Sequence, residues 1–217
     1  MRTSFILLPV LLAASVCYGT DGSLQAWDLA LEDLLPEEEG FIWRYWGFAE
    51  YGHWMHLDEI EETGDGTVYR VSGMVEDMSA GEATGDFSIS LEYTVSDSVL
   101  SVVQRSPMAM DNDFMEMELL RLPIAEGNRW SQTAVDMHGS EVRLVCGVEE
   151  VGERTVTVRY SMPDSPFYQL RVFEEGMGVV TFEKLYISPD GNFEVGYTLF
   201  RESDFTPDSV PKSRKLK

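Results

Sequence analysis

The chain has little basic charge and very little cysteine. Its 217 residues carry 16 Lys and Arg against 38 Asp and Glu, a formal net charge of −22. A phosphate backbone or an anionic bilayer would repel such a surface, which argues against sequence-independent nucleic-acid binding and against adhesion to acidic lipid. There are 3 His and 2 Cys. HExxH, CxxC, a GxSxG nucleophile elbow, a phosphate loop and an EF-hand pattern are all missing from the sequence. Carboxylates are too numerous to single out an acid and base pair, so no enzyme is expected and no cofactor is implied. The 44% hydrophobic and 25% charged content is that of a folded chain, long enough for one large domain or two small ones.

Long apolar runs are also missing, with one short exception at the start. Arg2 opens a basic n-region, and Phe5 to Val16 is apolar apart from Ser15. That run falls short of the roughly 20 residues a membrane span needs and fits the h-region of a secretory leader. Cleavage after Gly19 leaves small residues at the recognised positions Cys17 and Gly19; cleavage after Ser15, with Ala13 upstream, is the alternative. Removing residues 1–19 takes away one Arg and no acid, leaving −23. The product is expected to be exported, periplasmic or extracellular, and not membrane-spanning. Anchoring through Cys17 is disfavoured, because Val16 and Ala14 stand where a lipobox wants a small residue and a Leu.

What the chain has in quantity is period-2 alternation. It runs through Phe87, Ile89, Leu91, Tyr93 and Val95, through Val156, Val158, Tyr160 and Met162, and through Phe193, Val195, Tyr197 and Leu199. Gly64-Asp65-Gly66, Gly152-Glu153 and Ser188-Pro189-Asp190-Gly191 punctuate it as turns. About ten such segments without intervening helices predict an all-β antiparallel curved sheet, either a half-barrel or a sandwich. One short N-terminal helix of about three turns is expected over residues 20–39, from a Ser23 cap and Leu24, Trp27, Leu31 and Leu34 at helical spacing. Residues 206–217 have no periodicity, end in Lys212-Ser213-Arg214-Lys215-Leu216-Lys217, and read as a disordered tail.

The sequence also repeats. Leu35-Pro36 through Glu39-Gly40 to Trp43 matches Leu122-Pro123 through Glu126-Gly127 to Trp130, an L-P-x-x-E-G-x-x-W pattern. Gly52 and Gly139 continue it; Glu61 to Gly64 then matches Glu149 to Gly152, and Thr67-Val68 matches Thr155-Val156. Two related halves, 40–121 and 122–205, are expected to pack as one domain. Pro stiffens the approach to a strand, Gly permits the turn, and Trp anchors the core. This strand approach, with the later Gly176-Met177-Gly178-Val179-Val180 step, resembles secreted and periplasmic bacterial β proteins of the lipoprotein-carrier and outer-membrane-lipoprotein half-barrel kind. The resemblance covers about Leu35 to Arg201 and implies fold and compartment; no lipid-contacting residue matches by position.

Candidate site residues fall in two places. Phe41 to Trp54 is dense in rings, and Trp43, Tyr45, Trp46, Trp54 and Trp130 are the candidates for ligand contact, as an apolar groove or a sugar-stacking platform, beside plain core packing. In a regular strand Trp43 and Tyr45 share one face and Trp46 takes the other. Met108, Met110, Asp111, Asp113, Met115 and Met117 form a Met-rich hairpin around an acidic turn, a thinkable Cu(I) site beside the alternative of flexible core filling, and Asp111, Asp113, Asp65 and Asp190 in turns offer hard oxygen to calcium beside the alternative of a solvated acidic face. His53 and His56, three apart in a strand, point to opposite faces. Cys146 alternates with Val142, Leu144 and Val148 and belongs to the core.

Two functions follow as expectations. The first is an exported non-catalytic binding module of the bacterial cell envelope that holds a lipid-like or peptide ligand on its concave face. The second is an envelope structural or interaction protein, partnered by another envelope protein, whose sheet is filled by its own side chains. An enclosed apolar cavity beside Trp43 or Trp130 favours the first, and a solid core with an exposed patch favours the second.

Overall fold

The computed structural model describes residues 30–47, 51–77, 85–106 and 113–201. They form twelve antiparallel strands: β1 (Ile42–Gly47), β2 (Tyr51–Thr63), β3 (Gly66–Asp77), β4 (Ser88–Val95), β5 (Val99–Gln104), β6 (Phe114–Arg121), β7 (Arg129–Asp136), β8 (Glu141–Val151), β9 (Thr155–Ser161), β10 (Tyr168–Glu174), β11 (Gly178–Tyr186) and β12 (Phe193–Leu199). Each strand pairs with its sequence neighbour, and β1 pairs with β12 through Tyr45↔Leu199, Trp46↔Thr198 and Gly47↔Tyr197.

That last pairing corrects the expected half-barrel or sandwich: the sheet is a closed barrel. Alternation dictates which face of a strand is buried; it carries no information on whether the first and last strands meet. Closure removes both edges, which an open sheet would have to protect.

Residues 20–29 of the expected helix lie outside the described residues. In the described part there is one 3-10 turn, Glu32–Leu34, and no α-helix. Its carbonyls serve the barrel instead: the Gly176 amide donates to Asp33 O at 2.7 Å. Acidic residues near a helix C-terminus oppose the dipole, and Pro36 blocks continuation. Leu31, Leu34 and Leu35 are buried and stopper the rim where β1 begins.

Among the described residues the interior is packed with side chains. Ile89, Leu91, Tyr93 and Val95 of β4 and Val156, Val158 and Tyr160 of β9 all point inward, as their alternation predicts, and Leu144, Cys146 and Val148 do so from β8. Phe193 departs from its pattern: it is exposed and rests against Tyr186, with ring centroids 5.0 Å apart. A barrel of more than eight strands, held round, would leave a lumen. Here the wall folds in across the lumen, since the Tyr160 hydroxyl of β9 donates to Leu119 O of β6, three strands away, at 2.5 Å. The void lined by Leu91, Tyr93, Gln104, Phe114, Leu119 and Arg171 measures about 10 Å³, no more than one water.

Towards the opposite rim the interior turns polar. The Lys184 ammonium donates to both Asp113 carboxylate oxygens at 2.9 and 2.8 Å, and Gln169 Nε2 donates to the same carboxylate at 2.6 Å. Arg171, buried, donates to Gln169 Oε1 at 2.8 Å and lies over the rings of Tyr160 and Phe182, 5.1 and 4.9 Å from their centroids. The β6–β7 junction is also unusual. Its recorded backbone register is confined to Phe114↔Asp136 and Glu116↔Val135, with a bulge between them. Beyond it the Gln132 side chain takes over, accepting from Glu118 N–H at 2.6 Å and donating to Glu118 O at 2.7 Å.

The two Trp-bearing stretches enter β1 and β7 alike. Gly40 and Gly127 have φ of 87° and 81°. Gly40 N–H donates to Leu57 O at 2.8 Å and Leu57 N–H to Phe41 O at 2.9 Å; Gly127 N–H donates to Val148 O and Val148 N–H to Asn128 O, both at 2.9 Å. Bulges follow both Leu57 and Val148. Past the Trp the residue-by-residue matching shifts: Gly52 lies inside β2 while Gly139 lies in the turn before β8, and Val68 is half-buried where Val156 is fully buried.

Candidate surface site around Trp46

Alternation within β1 splits the aromatic run between the two faces of the wall. Trp43 is 2% exposed and donates its indole N–H to Met177 O at 2.6 Å; the Tyr45 hydroxyl donates to Val179 O at 2.6 Å. Tyr45 also stacks on buried His53 at 4.5 Å. Trp130 is buried at the matching place on β7. Three of the five aromatic candidates are thus packed into the interior. Trp46 faces out and is 60% exposed, and Trp54, half-buried, faces out from the next strand, where it is paired with Arg44.

Trp46 stands as a rib between two surface clefts. One, of about 240 Å³, is lined by Arg44, Trp54, Glu76 and Phe200. The other, of about 300 Å³, is lined by Thr181, Glu183, Glu194, Gly196 and Thr198. Exposed Ile42, Met74 and Phe200 extend the apolar surface around it. Glycine gives the second cleft its floor: a Cβ on Gly196 would lie 2.2 Å from Phe182 O, so this strand crossing admits no side chain.

Several carboxylates of the outer wall have basic partners: Glu59 and Glu61 pair with Arg70 at 2.6 and 2.7 Å, Glu92 with Arg105 at 3.3 Å, Glu149 with Arg159 at 2.5 Å, Glu175 with Arg154 at 3.0 Å, and Glu174 with Arg201. Glu183 and Glu194 have no basic partner among the described residues; both converge on the Tyr168 hydroxyl, at 2.8 and 2.6 Å. Burial, and then the hydrogen bonds to Glu194 and Glu183, push the Tyr168 phenol well above its ordinary pKa, so it stays protonated. One O–H donates to one acceptor at a time, so the second carboxylate keeps its lone pairs. Arg159 stacks over the far face of the Tyr168 ring, 4.3 Å from its centroid.

No described helix is long and apolar enough to cross a membrane. Of the Met-rich hairpin, Met108, Met110 and Asp111 lie outside the described residues. Asp113 is bound to Lys184 and Gln169, Met117 is buried in the core and Met115 is half-buried at the β6 bulge. Among the described residues no group of three or more His, Cys, Asp and Glu is placed to hold a metal. His56 lies on the outside, 2.7 Å from Asp58. Burial pushes the Cys146 thiol up to about 11.

No protein-family model matches the chain, and neither does any curated protein. Two solved structures are similar to it. One, from Parabacteroides distasonis and assigned as a lipoprotein, is 13% identical, with a TM-score of 0.39 over 76% of this chain and 95% of that one. The other, from Bacteroides fragilis and assigned as an exported protein with a YmcC-like fold, is 12% identical, with a TM-score of 0.46 over 76% of this chain and 96% of that one. At such scores neither carries weight for architecture or function, and the site stands on its own geometry.

Proposed function

We propose that this is an exported, non-catalytic interaction protein of the bacterial cell envelope, built as two related halves, that meets a partner with the outer wall around Trp46. The observation behind this reading is the division of the aromatic run: Trp43, Tyr45 and Trp130 are used up in a filled interior, while Trp46 is left 60% exposed between two clefts. A contiguous exposed apolar patch rimmed by polar residues marks a contact surface, and Trp is enriched among the residues that carry binding energy there. Export rests on the leader, Arg2 and the run Phe5 to Val16. The alternative, a small apolar ligand on the concave face, finds little room beside Leu91, Phe114 and Leu119.

Hydroxyl-radical footprinting tests this reading. Trp46 should be oxidised less in intact cells than in the purified protein, with exposed Met137 as the unprotected reference. Equal oxidation of Trp46 in both settings would refute an occupied interface there.

A further inference from the structure

We infer that the acidic cleft beside Trp46 receives a cationic side chain, arginine or lysine, from a peptide segment of the partner. This deepens the interface reading and rests on it. The cleft is lined by Trp46 and by two carboxylates, Glu183 and Glu194. An exposed indole attracts a guanidinium or ammonium through its π face. The two carboxylates share one phenol proton from Tyr168 and have no ion-pair partner among the described residues, since the nearby Arg159 lies over the Tyr168 ring and pairs with Glu149, whereas Glu59, Glu61 and Glu92 of the same wall are paired with arginines. A cation entering the cleft supplies the missing counter-charge and relieves the repulsion between the carboxylates. Thr181 and Thr198 add hydroxyls along the floor that Gly196 leaves open. A neutral sugar would stack on Trp46 but leave that charge unmatched. Two carboxylates and a phenol also fall short of the six to eight oxygens that calcium takes. The chain's net charge of −22 steers a basic segment towards it from a distance.

Calorimetric titration of the purified protein with N-acetyl-triarginine amide tests the inference, with the tricitrulline peptide as a neutral isostere and maltotriose and calcium as separate arms. Triarginine should bind and tricitrulline should not. Trp46→Leu should weaken binding about fivefold, and the Glu183→Gln, Glu194→Gln double variant about tenfold or more, from the usual size of exposed cation–π contacts and ion pairs. Glu62→Gln with Glu126→Gln, two exposed acids elsewhere, removes the same charge and should leave affinity unchanged. Equal binding to both double variants, equal binding of citrulline, or binding of maltotriose or calcium in place of triarginine would overturn the inference. The two readings fail separately. If the Glu183→Gln, Glu194→Gln protein keeps Trp46 protected in intact cells, the cationic contact is wrong and the interface stands; if the native protein leaves Trp46 unprotected, both fall.

Discussion

Replacing Gln132 with leucine should destabilise the barrel far more than loss of a surface amide would. Gln132 is buried on β7, and both ends of its amide bond to Glu118 of β6, at 2.6 and 2.7 Å, beyond the point where the backbone register between these strands stops. The side chain thus acts as a short piece of strand. Leucine is apolar, of similar bulk and without a hydrogen-bonding atom, so it leaves one N–H and one C=O unpaired at a partly buried seam. Each such group costs about 1–3 kcal/mol. Partial solvent access at Glu118 places the sum at about 2–4 kcal/mol, or a melting temperature lower by roughly 5–15 °C for a chain of this size. Urea unfolding followed by tryptophan fluorescence should show the midpoint fall with an unchanged slope, and the Glu118 amide should exchange hydrogen faster. Ser131→Ala, at an exposed neighbour, should stay within about 0.5 kcal/mol of the native protein. If Gln132→Leu also stays within that margin, or leaves the Glu118 amide equally protected, the strand-substitute argument is wrong.

Other predictions concern the interior. Trp43→Phe should cost about 1–3 kcal/mol more than Trp130→Phe, because Trp43 donates to Met177 O whereas the buried Trp130 indole N–H has no partner among the described residues; paired denaturation curves decide. Lys184→Met should cost about 2–4 kcal/mol by leaving the Asp113 carboxylate short of its counter-charge, and adding Asp113→Leu should restore much of that, as a double-mutant cycle would show. Cys146 should resist a thiol-specific chromophore at pH 8 until the chain unfolds. Because its folded thiol is raised from 9.0 to about 11, stability should be unaffected by this group below pH 9, fall between pH 9 and 11 as the unfolded thiol ionises first, and flatten above; Cys146→Ala should remove that decline in alkaline unfolding curves.

Local pattern was informative where one strand face is wholly apolar. Ile89 to Val95 and Val156 to Tyr160 were assignable residue by residue, as were the core place of Cys146 and the opposite faces of His53 and His56. It was uninformative where the interior is polar. β10 turns Gln169 and Arg171 inward and Leu170 outward, an arrangement made tolerable by Asp113, Tyr160 and Phe182, which arrive from three other parts of the chain. The surface site divides the same way. Ring density and period 2 place Trp46 outside. Its acidic neighbours Glu183 and Glu194 are brought there only by the pairing of β1 with β12, and Tyr168 reaches them across β10 and β11, joins that no local spacing announces.

The pairing of first strand with last has a consequence for handling the molecule. The Phe200 amide donates to Arg44 O at 2.7 Å, so the chain arrives at and leaves the wall side by side on one rim. Circular permutation should therefore succeed with a brief linker between the old ends and new termini cut at the exposed Gly139 turn on the far rim.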